Sequence, residues 1–461
     1  MPAHSRRAGQ RLVARYAGKH PAFRGRFTFL LPQNPLFLVP VRHYLSGRLS
    51  QQLLWLACLA GVAGLLASRA LVALAPVVGV LAVLANPDLR RDLPRYYRNG
   101  AAMRAAALVG LLLLSGLYTS EWATWRHELF RALPWLGVPL AFTLAVPLTA
   151  RQRLAVGGLF VLGTAAVGLA TLGQYLLDPT GANAAIRIGQ NMPAATRVFH
   201  ISFGLMLALA FFWSLLLRRH PLAGPVLRAA LGLAAAAAAL TLHVLAYRTG
   251  LLVLYTGLLA VAIRLLLHRR LALGLGLILL LGLGPWAGYH TLESVRQRVD
   301  SSVWDVQQFT LGHDINDYSL ARRLAAIETA RAIVGRHWLL GVGPADTRAA
   351  LMDQYAWKDF GLRPANRVEV HNQYLQVLLG GGVLGLGLWL AVLLWPLAQP
   401  KTRHRPAIGF FILLQGTAML VDSVLDLQIG LNFFVFGYGF LVVAAEAVQD
   451  QQSVVTGKKA S

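Results

Sequence analysis

The chain has 461 residues, of which 56% are hydrophobic and only 13% are charged, and its mean hydropathy is +0.54. This composition excludes a water-soluble enzyme. The formal net charge of +24 at pH 7 raises the question of an acidic partner, and the single cysteine, Cys58, excludes an internal disulfide.

Long apolar blocks follow one another along most of the chain. Windows of about 19 residues predict spans near 52–68, 70–86, 105–120, 132–149, 153–176, 199–217, 226–246, 250–267, 271–289, 373–395, 406–421 and 428–445. We therefore expect an all-α polytopic membrane protein of about twelve transmembrane helices. The predicted divisions are a basic N-terminal segment (1–51), spans one to nine (52–289), a loop (290–370), spans ten to twelve (371–445) and a tail (446–461).

The basic residues favour one side of the membrane. If the arginine-rich first fifty residues are cytoplasmic, an even number of spans returns the tail to the cytoplasm, and most lysines and arginines then fall in cytoplasmic connections. Topology and contact with anionic membrane lipids account for the net charge, so no nucleic acid partner is predicted. The apolar stretch Phe27–Val41 contains three prolines and is interpreted as interfacial or re-entrant; if it spans the membrane, the topology inverts.

The loop between spans nine and ten is the one long hydrophilic interruption, and this topology places it on the outer face of the membrane. Loops of this length without a function are uncommon, so we expect a partly helical catalytic or binding lid. None of the span windows contains Asp or Glu, which disfavours an ion-coupled transporter. The outer loops also lack an Asp-x-Asp or Glu-x-Asp pair, so no metal or other cofactor is predicted and arginine is expected to bind any phosphate.

Two arginines are candidates for that role. Arg248 lies in the short outer turn between spans seven and eight, where its side chain reaches either the bundle or the lipid headgroups; an ordinary arginine at a helix end is the alternative. Arg323 lies on a helix predicted over 320–336, with Ser319 as its cap. On that helix Arg323 lies beside an apolar stripe and Arg322 faces away, so Arg323 needs either an anionic ligand or an internal salt bridge. The stripe consists of Leu324, Ile327 and Val334.

A histidine stands where the loop re-enters the membrane. His371 can accept a proton from a hydroxyl at neutral pH, although a lone interfacial histidine is more often structural. Asn372 follows it directly. Arg187 and Arg197, in the outer connection between spans five and six, are either further substrate contacts or solvated loop charges.

These residues occur in an order that resembles the bacterial superfamily of O-antigen ligases and polymerases, over about residues 245–390. The matching motifs are Arg248-x-Gly250, Ser319-x-x-x-Arg323, Gly341-x-Gly343, His371-Asn372-x-Tyr374-Leu375 and a glycine-rich span at Gly380, Gly381, Gly382 and Gly385. Two positions depart from the family pattern. Ile327 replaces a frequent tryptophan, and Gly380 replaces a carboxylate that often precedes the glycines.

The resemblance implies transfer of a glycan from undecaprenyl pyrophosphate to the lipid A–core oligosaccharide. The reaction inverts the anomeric carbon, needs no metal or nucleotide, and takes place at the periplasmic face of the bacterial inner membrane. Arg248 and Arg323 would stabilise the leaving phosphate, and His371 would act as the base or bind the pyrophosphate. Asn372 would orient the imidazole or contact a sugar, and Arg322, Arg187 and Arg197 would bind substrate.

Other functions stay open from the sequence alone. The single large late loop favours a ligase over an O-antigen polymerase. A protein O-oligosaccharyltransferase shares the fold and would carry extra acceptor-binding sequence. A lipid-linked glycan flippase is a non-enzymatic alternative, but the spans offer little sign of the polar lane that it needs.

Overall fold

A computed structural model describes residues 46–187 and 192–447, without the side chains of 185–187. Every regular element in these ranges is helical, so the predicted all-α class is confirmed. Eight of the described helices are long and apolar enough to cross a membrane. Nearly all of the predicted basic segment, including Phe27–Val41, and most of the predicted tail lie outside the described residues.

The α-helices are numbered here in chain order. They are α1 (Arg48–Ala67), α2 (Arg69–Leu84), α3 (Leu89–Arg98), α4 (Gly100–Ser115), α5 (Trp122–Ala132), α6 (Pro134–Leu144), α7 (Ala150–Leu177), α8 (Pro179–Arg187), α9 (His200–Leu217), α10 (Pro225–Val244), α11 (Arg248–Leu267), α12 (Leu271–Thr291), α13 (Glu293–Thr310), α14 (Ser319–Arg336), α15 (Thr347–Trp357), α16 (Gln373–Ala398), α17 (Pro406–Val421) and α18 (Gln428–Tyr438). A π-helical turn at Gly439–Val443 continues α18.

Each predicted span window contains a helix, but the helices differ in length. The eight candidate spans are α1, α7, α9, α10, α11, α12, α16 and the helix that runs from Gln428 to Ala447. Helices α2, α4 and α17 are shorter apolar helices. Helix α6 has only 11 residues, or roughly 16 Å at 1.5 Å per residue, about half of the hydrocarbon thickness. The count of twelve complete crossings therefore stays a prediction.

Four helices form the part of the bundle that carries the site: α9, α11 and α17 pack against one another, and α16 packs on α17. Gly250 lets α11 approach α9 closely, because a Cβ at this position would lie 3.0 Å from Cα of Gly204. The chain reaches α11 through a tight turn at Ala246, whose φ is 47°. This close approach brings Arg248 beside the first residue of α9, His200.

The long loop contains α13, α14 and α15, which lie at the end of the bundle where α9, α11, α16 and α18 begin; we call this the loop end. Helix α14 packs on α13, α15 and α16. Its contacts enclose two small apolar clusters, one within the loop around Tyr355 and one between the loop and α16 around Ile333 and Leu379. The predicted partly helical lid therefore has a small core of its own and is packed on α16.

Two expectations about α14 were wrong. Ser319 does not cap the helix: the cap residue is Tyr318, and the carboxylate of Asp305 on α13 accepts a hydrogen bond from the Leu320 amide at 2.7 Å. The predicted apolar stripe is only half-buried. The fully buried face lies on the other side and is made mainly of small residues, because these allow α14 to approach its neighbours closely. It comprises Ala321, Ala325, Ala326, Thr329, Ala330 and Ile333.

The two glycine motifs of the sequence join the loop to the membrane bundle. Helix α16 is broken at Gly382, where φ is 60° and ψ is −162°. The break leaves the carbonyls of Leu379 and Gly380 free to accept hydrogen bonds from the amides of Val342 and Gly343, each at 2.9 Å. A side chain at Gly382 would lie 2.1 Å from the carbonyl oxygen of Leu339. The glycines therefore make a backbone joint between the loop and α16.

Candidate active site

A histidine and an aspartate form a pair at the loop end. His371 precedes α16, and its Nδ1 lies 3.1 Å from Oδ1 of Asp422, the residue that ends α17. The carboxylate is buried, whereas the imidazole is half-buried. Since the carboxylate only accepts hydrogen bonds, Nδ1 carries the proton and Nε2 of the neutral ring is the acceptor.

Arg323 reaches the same carboxylate from the loop. Its Nη1 lies 3.8 Å from Oδ2 of Asp422 and donates to the carbonyl of Val421 at 3.2 Å. A distance of 3.8 Å is an ion pair without a hydrogen bond, so the guanidinium keeps donors for another acceptor. Asp422 therefore links the arginine of the loop to the histidine at the start of α16.

The segments that carry the pair are held together by side-chain hydrogen bonds. Asn372 caps α16 by accepting from the Leu375 amide, and its Nδ2 donates to the carbonyl of Leu420, both at 2.9 Å. The Ser423 hydroxyl donates to the carbonyl of Val370 at 2.6 Å. The start of α16 and the end of α17 thus form one rigid unit.

The second predicted arginine lies on the other wall of this region. Arg248 is the first residue of α11, and its Nη2 donates to Oγ of Ser301 on α13 at 3.1 Å. Its charge interacts with those of Asp305 and Arg323. Helix α13 is fixed to the end of α10, since the Ser294 hydroxyl donates to the Val244 carbonyl at 2.7 Å.

A third arginine, Arg298 on α13, was not predicted. It is only 4% exposed, although it lies in the hydrophilic loop. The pKa of Arg298 is lowered to about 10, mainly by burial and further by the charge of Arg248, while Tyr247 opposes the change. The group stays cationic at neutral pH, so the site contains a buried positive charge next to a second arginine.

His200, the first residue of α9, lies near the charged groups of this region. Its ring interacts electrostatically with Arg298, Asp422, Arg323 and Arg248. These groups come from five helices or helix ends, and they converge at the loop end of the bundle. We call Arg248, Arg298 and Arg323 the arginine cluster.

The arginine cluster has two acidic neighbours among the described residues, Asp305 and Asp422. Burial lowers the pKa of Arg323, Asp422 opposes the change, and Arg322 adds to it. Among the residues described, Asp422 is the acid that contacts Arg323. Three guanidinium groups gathered at one place can bind an anionic ligand, and arginine binds phosphate oxygens with charge-assisted hydrogen bonds.

The side chains of two of the three remaining predicted arginines are described. Arg322 lies toward the buried face of α14 and donates to Oδ1 of Asn366 at 3.0 Å, within the loop. Arg197 is exposed in the turn before α9, with a φ of 60°. Arg187 ends α8, and its side chain lies outside the described residues. In the described part of the chain, no three His, Cys, Asp or Glu side chains gather in a way that could hold a metal ion.

Asp422, Arg298 and His200 were missed from the sequence. One signal for Asp422 was available: it lies in the short connection between spans eleven and twelve, at the same predicted face as His371. Arg298 gave no such signal, because its burial depends on how α13 packs against the ends of α10 and α11.

Comparison with known proteins identifies the central part of the chain. Residues 233–390 match the family model described as O-antigen ligase, which confirms the resemblance read from the motifs. The match includes Arg248, Arg323, His371 and the glycine joint, and it begins after α9. It supports membership of the superfamily of O-antigen ligases and polymerases, whose members are enzymes of the glycosyltransferase type. No curated protein matches the chain.

Proposed function

From the match of residues 233–390 to the O-antigen ligase family, we propose that this protein transfers a glycan from undecaprenyl pyrophosphate to the lipid A–core oligosaccharide. The observation that carries the proposal is the shared carboxylate: Asp422 contacts both His371 and Arg323 beside the arginine cluster. His371 can take a proton there, and the three arginines of the cluster can receive a departing diphosphate.

The leaving-group side of the reaction belongs to the arginine cluster. When the bond between the anomeric carbon and the phosphate oxygen breaks, negative charge grows on that oxygen. Arg323 and Arg248 hydrogen-bond it, and the buried charge of Arg298 adds a fixed positive potential. A preorganised donor of this kind contributes about 2.7–4 kcal/mol to transition-state stabilisation.

The acceptor side belongs to His371. Nε2 takes the proton from the acceptor hydroxyl as its oxygen attacks the anomeric carbon from the face opposite the diphosphate, so the configuration inverts. Asp422 holds the ring in the tautomer that leaves Nε2 free and stabilises the imidazolium that forms. The products are the glycan-bearing acceptor and undecaprenyl pyrophosphate, and the proton then passes from His371 to solvent.

Asn372 acts in this mechanism as a positioning residue. Both ends of its amide are engaged by backbone groups, so it fixes the segment that carries His371. Arg322 likewise supports the loop through Asn366. These contacts favour a structural role over the direct substrate contact that the sequence suggested.

The proposed topology places the loop end in the periplasm and both chain ends in the cytoplasm of a bacterial inner membrane. Donor and acceptor are then both anchored in the lipid that surrounds the bundle. Confinement to one plane and one orientation supplies part of the rate acceleration, because it removes translational and rotational freedom before the reaction.

Reconstitution tests this function. The purified protein in vesicles that contain labelled undecaprenyl-pyrophosphate glycan and lipid A–core is expected to form labelled lipopolysaccharide and free undecaprenyl pyrophosphate. Extension of the donor glycan instead would indicate a polymerase, and labelling of an added protein would indicate an O-oligosaccharyltransferase. Movement of the donor between leaflets without transfer would indicate a flippase and contradict the proposal.

A further inference from the structure

Apart from the arginine cluster, the loop end contains a cavity between α4, α5 and the first turns of α16. Its volume is about 430 Å³, within the range of small-molecule sites in proteins. Its floor is apolar and is formed partly by Leu111 and Val377, while Gly381 and Gly385 leave the wall of α16 open. Its charged groups are Glu128, Arg131, Arg348, Glu369 and Asp426.

The cavity contains both positive and negative groups, whereas the arginine cluster contains three positive ones. Arg131 pairs with Glu128 at 2.7 Å, and Arg348 pairs with Glu369 at 2.9 Å. Asp426 adds a carboxylate, for which the described residues show no hydrogen bond. The lining is therefore neutral to negative and does not favour a diphosphate. Paired arginines, carboxylates and amides above an apolar floor suit the hydroxyl groups and apolar faces of a sugar.

The cavity shares a wall with the candidate active site. Gln373 lines the cavity two residues after His371, and its Oε1 accepts a hydrogen bond from the Leu425 amide at 2.8 Å. Asp426 follows Asp422 in the same short connection, and the two carboxylates interact electrostatically. One rigid unit thus presents His371 and Asp422 to the arginine cluster and Gln373 and Asp426 to the cavity.

We propose that this cavity binds a sugar of the acceptor glycan beside the segment that carries His371. The inference rests on the proposed function, in which a second saccharide must enter next to the arginine cluster that receives the diphosphate. The arginine cluster is cationic and suits the diphosphate, whereas the adjacent cavity suits a neutral saccharide.

Two variants of the full-length protein separate this role from a loss of folding. Asp426→Asn removes a charge and keeps the shape, whereas Thr124→Trp adds bulk at an exposed lining position. Their matched controls are Asp353→Asn and Thr310→Trp, at exposed positions that do not line the cavity. The KM for lipid A–core and the KM for the donor are measured in the same vesicles.

Both cavity variants are expected to raise the KM for the acceptor about tenfold or more, because Asp426→Asn removes a charged hydrogen-bond acceptor and Thr124→Trp removes space. The KM for the donor should stay within about twofold. An unchanged acceptor KM in both variants, or a raised donor KM in its place, would overturn the proposal. Direct binding keeps the test independent of turnover: core oligosaccharide released from lipid A is titrated into protein without donor. Wild type that binds this probe, with Asp426→Asn weaker, supports the site even if no transfer occurs; equal binding by both rejects it.

Discussion

Nδ1 of His371 lies 3.1 Å from Oδ1 of Asp422, so a histidine of the loop boundary is oriented by an aspartate 51 residues away in the chain. The contact fixes which ring nitrogen carries the proton. It also explains why a carboxylate at the end of α17 is buried at the loop end of a membrane bundle.

Asp422→Asn tests that orientation. An asparagine can place its NH₂ group toward Nδ1, so that Nδ1 accepts and Nε2 carries the proton and cannot act as a base. We expect transfer to fall by ~10²–10⁴-fold, with the largest loss near neutral pH. The measurement is the pH profile of the transfer rate in vesicles. A profile and rate equal to those of wild type would remove Asp422 from the mechanism; Asp353→Asn provides the exposed control.

Removal of Arg248 or Arg323 is expected to reduce transfer without preventing membrane insertion. Arg323→Ala and Arg248→Ala each remove a donor to the leaving phosphate, so the rate should fall by at least ~10²-fold. Lysine keeps the charge but not the planar fork, so Arg323→Lys should recover only part of the loss. Near-normal turnover in either alanine variant would exclude it from the leaving-group role. Arg331→Ala, at an exposed position of α14, serves as the arginine control.

The order of motifs in the sequence was sufficient to select Arg248, Arg323 and His371, which the structure brings to one end of the bundle. Apolar windows located a helix in every predicted span, and the helix predicted over 320–336 is α14. The buried face of α14 was not predicted, because small residues such as Ala325 and Ala330 allow closer approach than Leu324 does, and hydropathy does not report the size of a side chain. The partners of these residues, Asp422 and Arg298, depend on contacts between distant helix ends, which no local pattern encodes.

The joint between the loop and α16 predicts a steric requirement at Gly382. Alanine there would need a φ of 60° and would place its Cβ 2.1 Å from the carbonyl oxygen of Leu339. We expect Gly382→Ala to separate the loop from α16, lower the thermal midpoint and increase proteolysis between residues 337 and 345. Gly387→Ala is the control, since a Cβ there meets no atom within 4 Å. Equal midpoints and cleavage for the two variants would refute this account of the joint.

Chelation tests whether arginine alone serves the diphosphate. If the arginine cluster stabilises the leaving group, EDTA added to the vesicles should leave the transfer rate unchanged. The expectation follows from the donor set, in which guanidinium groups occupy the position that a divalent cation takes in many phosphate-handling enzymes. Inhibition by EDTA that magnesium reverses would contradict the metal-free proposal. A magnesium-dependent glycosyltransferase assayed in the same buffer shows that chelation was effective.

The carboxyl of Asp426 predicts a pH-dependent stability. Its pKa is raised to about 7, mainly by burial. Arg131 opposes the rise, and the carboxylates of Glu369, Glu128 and Asp422 add to it. The ordinary pKa of an unfolded aspartate is about 3.9, so between roughly pH 4 and 7 the folded protein holds a proton that the unfolded chain has lost. The stability of wild type therefore falls as pH rises through this range, by at most about 1.4 kcal/mol per pH unit, and levels off above it.

Asp426→Asn removes this titration and retains the others, so its thermal midpoint relative to wild type should rise between pH 5 and 8. The comparison uses tryptophan fluorescence in nanodiscs at one scan rate, because the midpoint of an irreversible transition depends on that rate. The other titrating groups occur in both proteins and cancel in the difference. Parallel curves over this range would mean that the carboxyl is already ionised in the folded protein at pH 5, and Asp426 would then lack the raised pKa on which the prediction depends.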